Sequence, residues 1–170
     1  MSEEIRWFEN GYEEFSKFII ILGNILMLLW ITLGTIACWF LSPLIALFYL
    51  LFALIMIFVV LRKMVCANCY YHGKWCAMGW GKLSAIFFRK GDIDKFGSGI
   101  GIKLAPVTYG LLTLIPLILI VISLVRGFLI FKVILLILLL FISFYSGSIN
   151  RKKTCAKCKM RIICPGSAVK

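Results

Sequence analysis

One histidine, four prolines, seven acidic residues and no glutamine stand among the 170 residues of this chain, and most of these shortages close off a chemistry. A bis-histidine haem needs two imidazoles; with His72 alone, no haem of that type is expected. Asp92 and Asp94 lie in a basic stretch and read as solvated loop acids, and the second half of the chain offers no Ser-His-Asp set or glutamate pair for hydrolysis. Gly97-Ser-Gly-Ile-Gly ends in no Gly-Lys-Ser/Thr and follows no strand pattern, so its glycines serve turn geometry rather than phosphate binding. Missing glutamine is a heat-adaptation signal, but seven cysteines and six methionines run against it.

Apolar sequence is what the chain has in excess. Its hydrophobic fraction is 62% and its mean hydropathy +1.02, against roughly 45–50% apolar residues in soluble domains. That composition points to a small multi-pass membrane protein. Uncharged runs cover 18–41, 43–61 and 105–125, and a fourth run at 128–149 carries Lys132 as its one charge. Each is long enough to cross about 30 Å of hydrocarbon as a helix. Ser42-Pro43 and Arg126-Gly127 leave room only for tight turns within each pair. The expected fold is an all-α integral membrane protein of four transmembrane helices, arranged as two tandem hairpins. Pro116, inside the third run, should kink it and free a carbonyl. Lys132 is close enough to the turn to snorkel outward, and Cys38 reads as a small buried hydrophobe. No small-residue cleavage site follows the first run, so a cleaved signal peptide is not expected.

Charge assigns the sides. Residues 62–104 hold eight Lys or Arg against two Asp, and 151–170 hold seven with no acid, whereas the two turns have only Arg126 and Lys132. By the positive-inside rule, residues 1–17, the 62–104 segment and the C-terminal tail face the cytoplasm from the cell membrane. The net charge of +12 is then a topology signal; nucleic acid is not an expected partner, while anionic lipid and a protein partner are. Ile5, Phe8, Tyr12 and Phe15 recur at helical spacing within 1–17, which fits a short amphipathic helix at the interface, with a frayed terminus as the alternative. Lys82 to Lys90 reads as a second amphipathic stretch at the membrane surface.

The cysteines form a repeat. Arg62-Lys-Met-Val-Cys-Ala-Asn-Cys69 aligns with Arg151-Lys-Lys-Thr-Cys-Ala-Lys-Cys158 at an offset of 89, and a third cysteine follows in each copy, Cys76 and Cys164. The chain therefore divides into an amphipathic segment 1–17, a first repeat 18–76 with its cluster at 66–76, a basic linker 77–104, a second repeat 105–164 with its cluster at 155–164, and a tail 165–170. Parallel duplication implies a pseudo-two-fold axis along the membrane normal and brings the clusters near each other. Cytoplasmic thiols stay reduced, which disfavours disulfides. Two Cys-x-x-Cys units are a metal signal, because a tight turn lets both thiolates point at one ion. The expected ligands are Cys66, Cys69, Cys76, Cys155, Cys158 and Cys164, with His72 a further candidate that has no counterpart in the second copy.

Zinc would take Cys66, Cys69, Cys155 and Cys158 as a closed tetrahedral site, and an iron–sulfur cluster would use the same four. Cys164-Pro165 is similar to the ferredoxin-type Cys-Pro ending, though the spacing differs. Six cysteines also allow two three-thiolate sites. Tyr70, Tyr71, Trp75 and Trp80 read as an interfacial belt, or as a shell tuning a redox centre. The functional expectation is an iron–sulfur electron-transfer component, leaning away from an enzyme in its own right; the alternative is a zinc-stapled scaffold without catalytic activity. Transport of metal or thiol has less to work with, since the spans hold no acid and one charge.

Overall fold

The computed structural model describes residues 8–169, and among them it is all-helical with no strand. Its principal helices are α1 (Lys17–Trp39), α2 (Pro43–Asn68), α3 (Trp80–Phe87), α4 (Ile100–Arg126) and α5 (Ile130–Ala156). All but α3 are long and apolar enough to cross a membrane, at 23 to 27 residues. Helix α2 runs past Leu61, and α5 past Ile149, so both basic groups leave the hydrocarbon on continuing helical turns. Leu44, Phe48, Phe141 and Phe144 point away from the bundle at 65–68% exposure, as a lipid-facing surface requires.

Helix α1 is the hub, packed against α2, α4 and α5, and α4 also packs on α5. The shared core contains Trp30, Ala37, Cys38, Ala46, Tyr49, Ala53, Leu112, Ile120 and Leu139. Cys38 is fully buried there and acts as a small hydrophobe. At the bundle centre, Pro116 has no N–H to give the Leu112 carbonyl one turn back. The Tyr49 hydroxyl donates to that carbonyl instead, at 2.9 Å. Gly34 makes this possible: a Cβ there would stand 2.9 Å from Tyr49 Cζ. Three helices thus meet at one hydrogen bond, which hydrocarbon does not let the backbone forgo. Lys132 lies at the 127–129 turn, its ammonium donating to the Ser123 and Gly127 carbonyls at 2.9 Å each. It caps the C-terminal end of α4, where a cation opposes the helix dipole.

Two π-helical segments interrupt the long helices, Met56–Val60 in α2 and Tyr145–Asn150 in α5. Their first residues are separated by the same 89 positions that separate Cys66 from Cys155. A π turn holds one residue more than an α turn and rotates everything after it about the helix axis. In both copies the next positively charged side chain is the arginine that opens the cysteine motif, Arg62 or Arg151.

The short interfacial helix expected within 1–17 is not formed over 8–16, and residues 1–7 lie outside the described residues. The segment is an irregular strap instead. Its backbone donors are taken by distant carbonyls, Phe8 by Lys159 at 3.2 Å, Tyr12 by Lys157 at 2.8 Å and Phe15 by Trp75 at 2.9 Å. Phe15, 5% exposed, packs on Tyr71 rather than on lipid. Helical spacing alone did not distinguish burial under protein from burial in headgroups.

Candidate metal centre

Each cysteine motif begins where a long helix unwinds. The Cys69 N–H donates to the Cys66 carbonyl at 3.3 Å, and the Cys158 N–H to that of Cys155 at 3.2 Å. The next turns also correspond, His72 to Cys69 at 3.0 Å with Arg161 to Cys158 at 3.1 Å, then Lys74 to Tyr71 at 2.9 Å with Ile163 to Met160 at 3.1 Å. Tyr71 and Met160, equivalent by the repeat, are each 2% exposed. One residue fewer precedes the third cysteine in the second copy, after which Gly79 to Cys76 at 2.8 Å again matches Ser167 to Cys164 at 3.0 Å. Backbone turns this similar, 89 residues apart, make the two motifs one structural unit used twice.

Backbone N–H groups are aimed at the sulfurs. Cys69 accepts from Tyr71, Cys158 from Met160 and Cys164 from Gly166, and Cys76 Sγ accepts from Gly81 at 3.3 Å. Such donors favour thiolate over thiol. Burial works the other way. It pushes the Cys158 thiol up to about 11 and lifts Cys69 and Cys164 as well, so with no metal bound these sulfurs hold their protons at neutral pH. A bound cation would displace those protons.

Within each copy every pair of sulfurs is in electrostatic reach: Cys66, Cys69 and Cys76 in the first, Cys155, Cys158 and Cys164 in the second. Cys69 and Cys158 also interact across the copies. Among the described residues, however, no three or more metal-ligating side chains converge on a common point. An ion would have to draw the thiols together. His72 is turned elsewhere, its Nε2 3.1 Å from the Phe88 carbonyl at the end of α3.

Between the motifs stands Tyr71. Its hydroxyl donates to the Tyr12 carbonyl at 2.6 Å, accepts from the Lys159 N–H at 3.1 Å and lies against the Cys158 sulfur. Tyr71 therefore ties the first motif, the strap and the second motif at one oxygen. Glu13 makes a second tie. It accepts from the Tyr70 hydroxyl at 2.6 Å and pairs with Lys159 at 2.9 Å and Lys74 at 3.4 Å. The Tyr70 hydrogen bond, then Lys159 and Lys74, hold its carboxyl down to about 2. Gly11 lets the strap lie on the second motif, since a Cβ there would stand 2.8 Å from the Lys159 nitrogen. Phe15, Tyr71, Phe96 and Met160 form an apolar cluster on which Cys69, Cys76, Cys158 and Cys164 pack.

Sequence reasoning read Tyr70 and Tyr71 as a belt or shell, and it missed Glu13 as a link between motifs. The one available signal was compositional: acids are concentrated in 1–17, while 62–104 and 151–170 are dominated by Lys and Arg. No family model, curated protein or solved structure matches this chain, so its function has to be argued from this geometry.

Proposed function

We propose that this is a membrane-anchored metal-binding protein whose cysteine-ligated centre serves electron transfer as an iron–sulfur component. The observation that carries the reading is the duplicated turn, with its backbone N–H groups directed at Cys69, Cys158 and Cys164. Hydrogen bonds to ligating sulfur orient it and set the potential of a cluster. The ligands are Cys66, Cys69, Cys76, Cys155, Cys158 and Cys164. His72, held at Phe88, is set aside. Mutual reach within each copy favours one three-thiolate centre per copy, with Cys69 in electrostatic reach of Cys158 across them.

The four spans form two tandem hairpins in this reading, each delivering a motif to the cytoplasmic face of the cell membrane. Charge supports that orientation, since the 62–104 and 151–170 segments are basic and the opposite turns hold only Arg126 and Lys132. A cytoplasmic or membrane protein partner would exchange electrons at this face. Exposed Ile86 and Phe87 beside Arg89 and Lys90 favour contact with anionic lipid around it.

A second reading has its own support. The strap, Tyr71 and Glu13 already fasten the motifs together, and a structural zinc would extend that fastening without any redox role. Anaerobic purification followed by visible spectroscopy and assay of iron, sulfide and zinc separates the two. Absorption near about 400 nm with stoichiometric sulfide is expected for the cluster. A colourless protein holding zinc alone would leave only the scaffold. Impermeant maleimide reaching Cys155 solely from the cytoplasmic side tests the orientation.

A further inference from the structure

Among the described residues three buried side-chain polar atoms lack a hydrogen-bond partner: Arg62 Nε, Trp80 Nε1 and Thr108 Oγ1. The first two belong to side chains in contact, and both atoms can only donate. Arg62 is 3% exposed, with its guanidinium carbon 4.6 Å from the centre of the Phe58 ring and 4.9 Å from that of Trp80. The two rings, 6.2 Å apart, make a wedge around it. The Ser84 hydroxyl donates to the Arg62 carbonyl at 3.5 Å, which helps α3 hold Trp80 against α2.

Aromatic faces offset part of the cost of burying a guanidinium, but they supply no counter-charge. No ion pair among the described residues includes Arg62, and the runs 43–61 and 105–125 contain no acid. Arginine does not shed its proton to escape the cost. A permanent cation and an indole N–H, both buried and both unanswered, fit one anionic acceptor. A water molecule would satisfy the hydrogen bonds and leave the charge. Depth selects the anion. Arg62 is the first charge after the uncharged run 43–61, and Ile86 and Phe87 on α3 are 72% and 70% exposed. The wedge thus lies where hydrocarbon gives way to headgroups, the level of lipid phosphate. A guanidinium fork also matches two phosphate oxygens.

We propose that Arg62 and Trp80 bind a phosphate group, Arg62 through its guanidinium and Trp80 through Nε1. The second copy offers no such place. Arg151 is exposed and donates to the Gly166 carbonyl, and Val169 stands 89 positions after Trp80. The site needs no metal, and it is separate from any diffuse attraction of a bilayer to Arg89 and Lys90.

The test uses the full chain, stripped of lipid in a neutral detergent, with dioleoylphosphatidylglycerol and inorganic phosphate as separate probes. Native mass spectrometry counts what is retained, and the rise in melting temperature reads the stabilisation each probe confers. One phosphatidylglycerol held per chain is expected, weakened at least about 100-fold in R62M. W80F keeps a ring face and removes the N–H, and should weaken retention roughly 10-fold. Without probe, R62M should melt no lower than the parent, because an apolar chain replaces a buried charge. R89Q removes an exposed charge from the same segment and should change retention less than about 5-fold. Lipid that inorganic phosphate fails to displace makes a headgroup the ligand. Inorganic phosphate that binds through Arg62 with no tightly held lipid upholds the site with the free ion as its ligand. Equal losses in R62M and R89Q mean diffuse attraction and overturn the proposal. Retention unchanged in W80F, or binding of neither probe, overturns it as well. The W80F comparison stands even where R62M fails to fold.

Discussion

Tyr49 does with one hydroxyl what the missing N–H of Pro116 makes necessary. Removing that hydroxyl leaves the Leu112 carbonyl unsatisfied between three helices, and Tyr49→Phe should cost about 1 kcal/mol, the scale of a hydrogen bond inside a membrane bundle. Reversible unfolding in mixed micelles measures it. Gly34→Ala should cost more, because its Cβ would push the Tyr49 ring off the same carbonyl. Glu13 makes a different prediction, one in pH. Its carboxyl is depressed from 4.5 to about 2 by Tyr70, Lys159 and Lys74. A depressed acid contributes stability above its unfolded value and loses it as pH falls toward its folded value. The strap should therefore loosen as pH falls from about 4.5 toward 2. Trp75 fluorescence reports this, because the Trp75 carbonyl holds the Phe15 N–H, and Glu13→Gln should abolish the pH dependence. The freed carbonyl at Pro116 was legible in the sequence; its partner was not, since nothing in a linear pattern pairs residue 49 with residue 112.

At the scale of elements, the apolar runs were readable because hydrocarbon filters composition so strongly. The π segments were not. Met-Ile-Phe-Val-Val and Tyr-Ser-Gly-Ser-Ile-Asn share no residue type that encodes a wide turn, yet they occupy matching places in the two long helices. An α-helix that gains one residue per turn re-aims every side chain that follows by about 100°. Deleting lipid-facing Val59, 51% exposed, should restore a regular α2 and swing Arg62 and Cys66 off their partners. The expected outcome is a protein that still inserts, with unchanged helix content by circular dichroism, but whose first centre no longer binds metal. Retention of full metal content would mean that the wide turn plays no part in aiming the motif.

For the molecule as a whole, the duplication was visible in Arg62-Lys-Met-Val-Cys and Arg151-Lys-Lys-Thr-Cys, and the matching turns around Tyr71 and Met160 extend it beyond any shared letters. One centre per copy predicts that Cys66→Ser and Cys155→Ser each retain about half of the parent's metal, measured by elemental analysis of the purified proteins. Near-complete loss in either variant would point to a single shared site. The strap was the least legible part, because its bonds reach from Phe8 and Tyr12 to Lys159 and Lys157. Periodicity reports neighbours three or four residues away, and these partners lie at the far end of the chain.

That reach governs the order of assembly. The Lys159 ammonium meets the Glu9 carbonyl across 150 positions of sequence. During synthesis Tyr12 and Glu13 emerge long before Lys157 and Lys159, so the first motif stays uncovered by the second for about half of the chain's length. The cap closes only once residues 157–159 exist, and all four long apolar helices precede them in the chain. On the proposed metal-binding function, that interval is when the first motif stands open to loading.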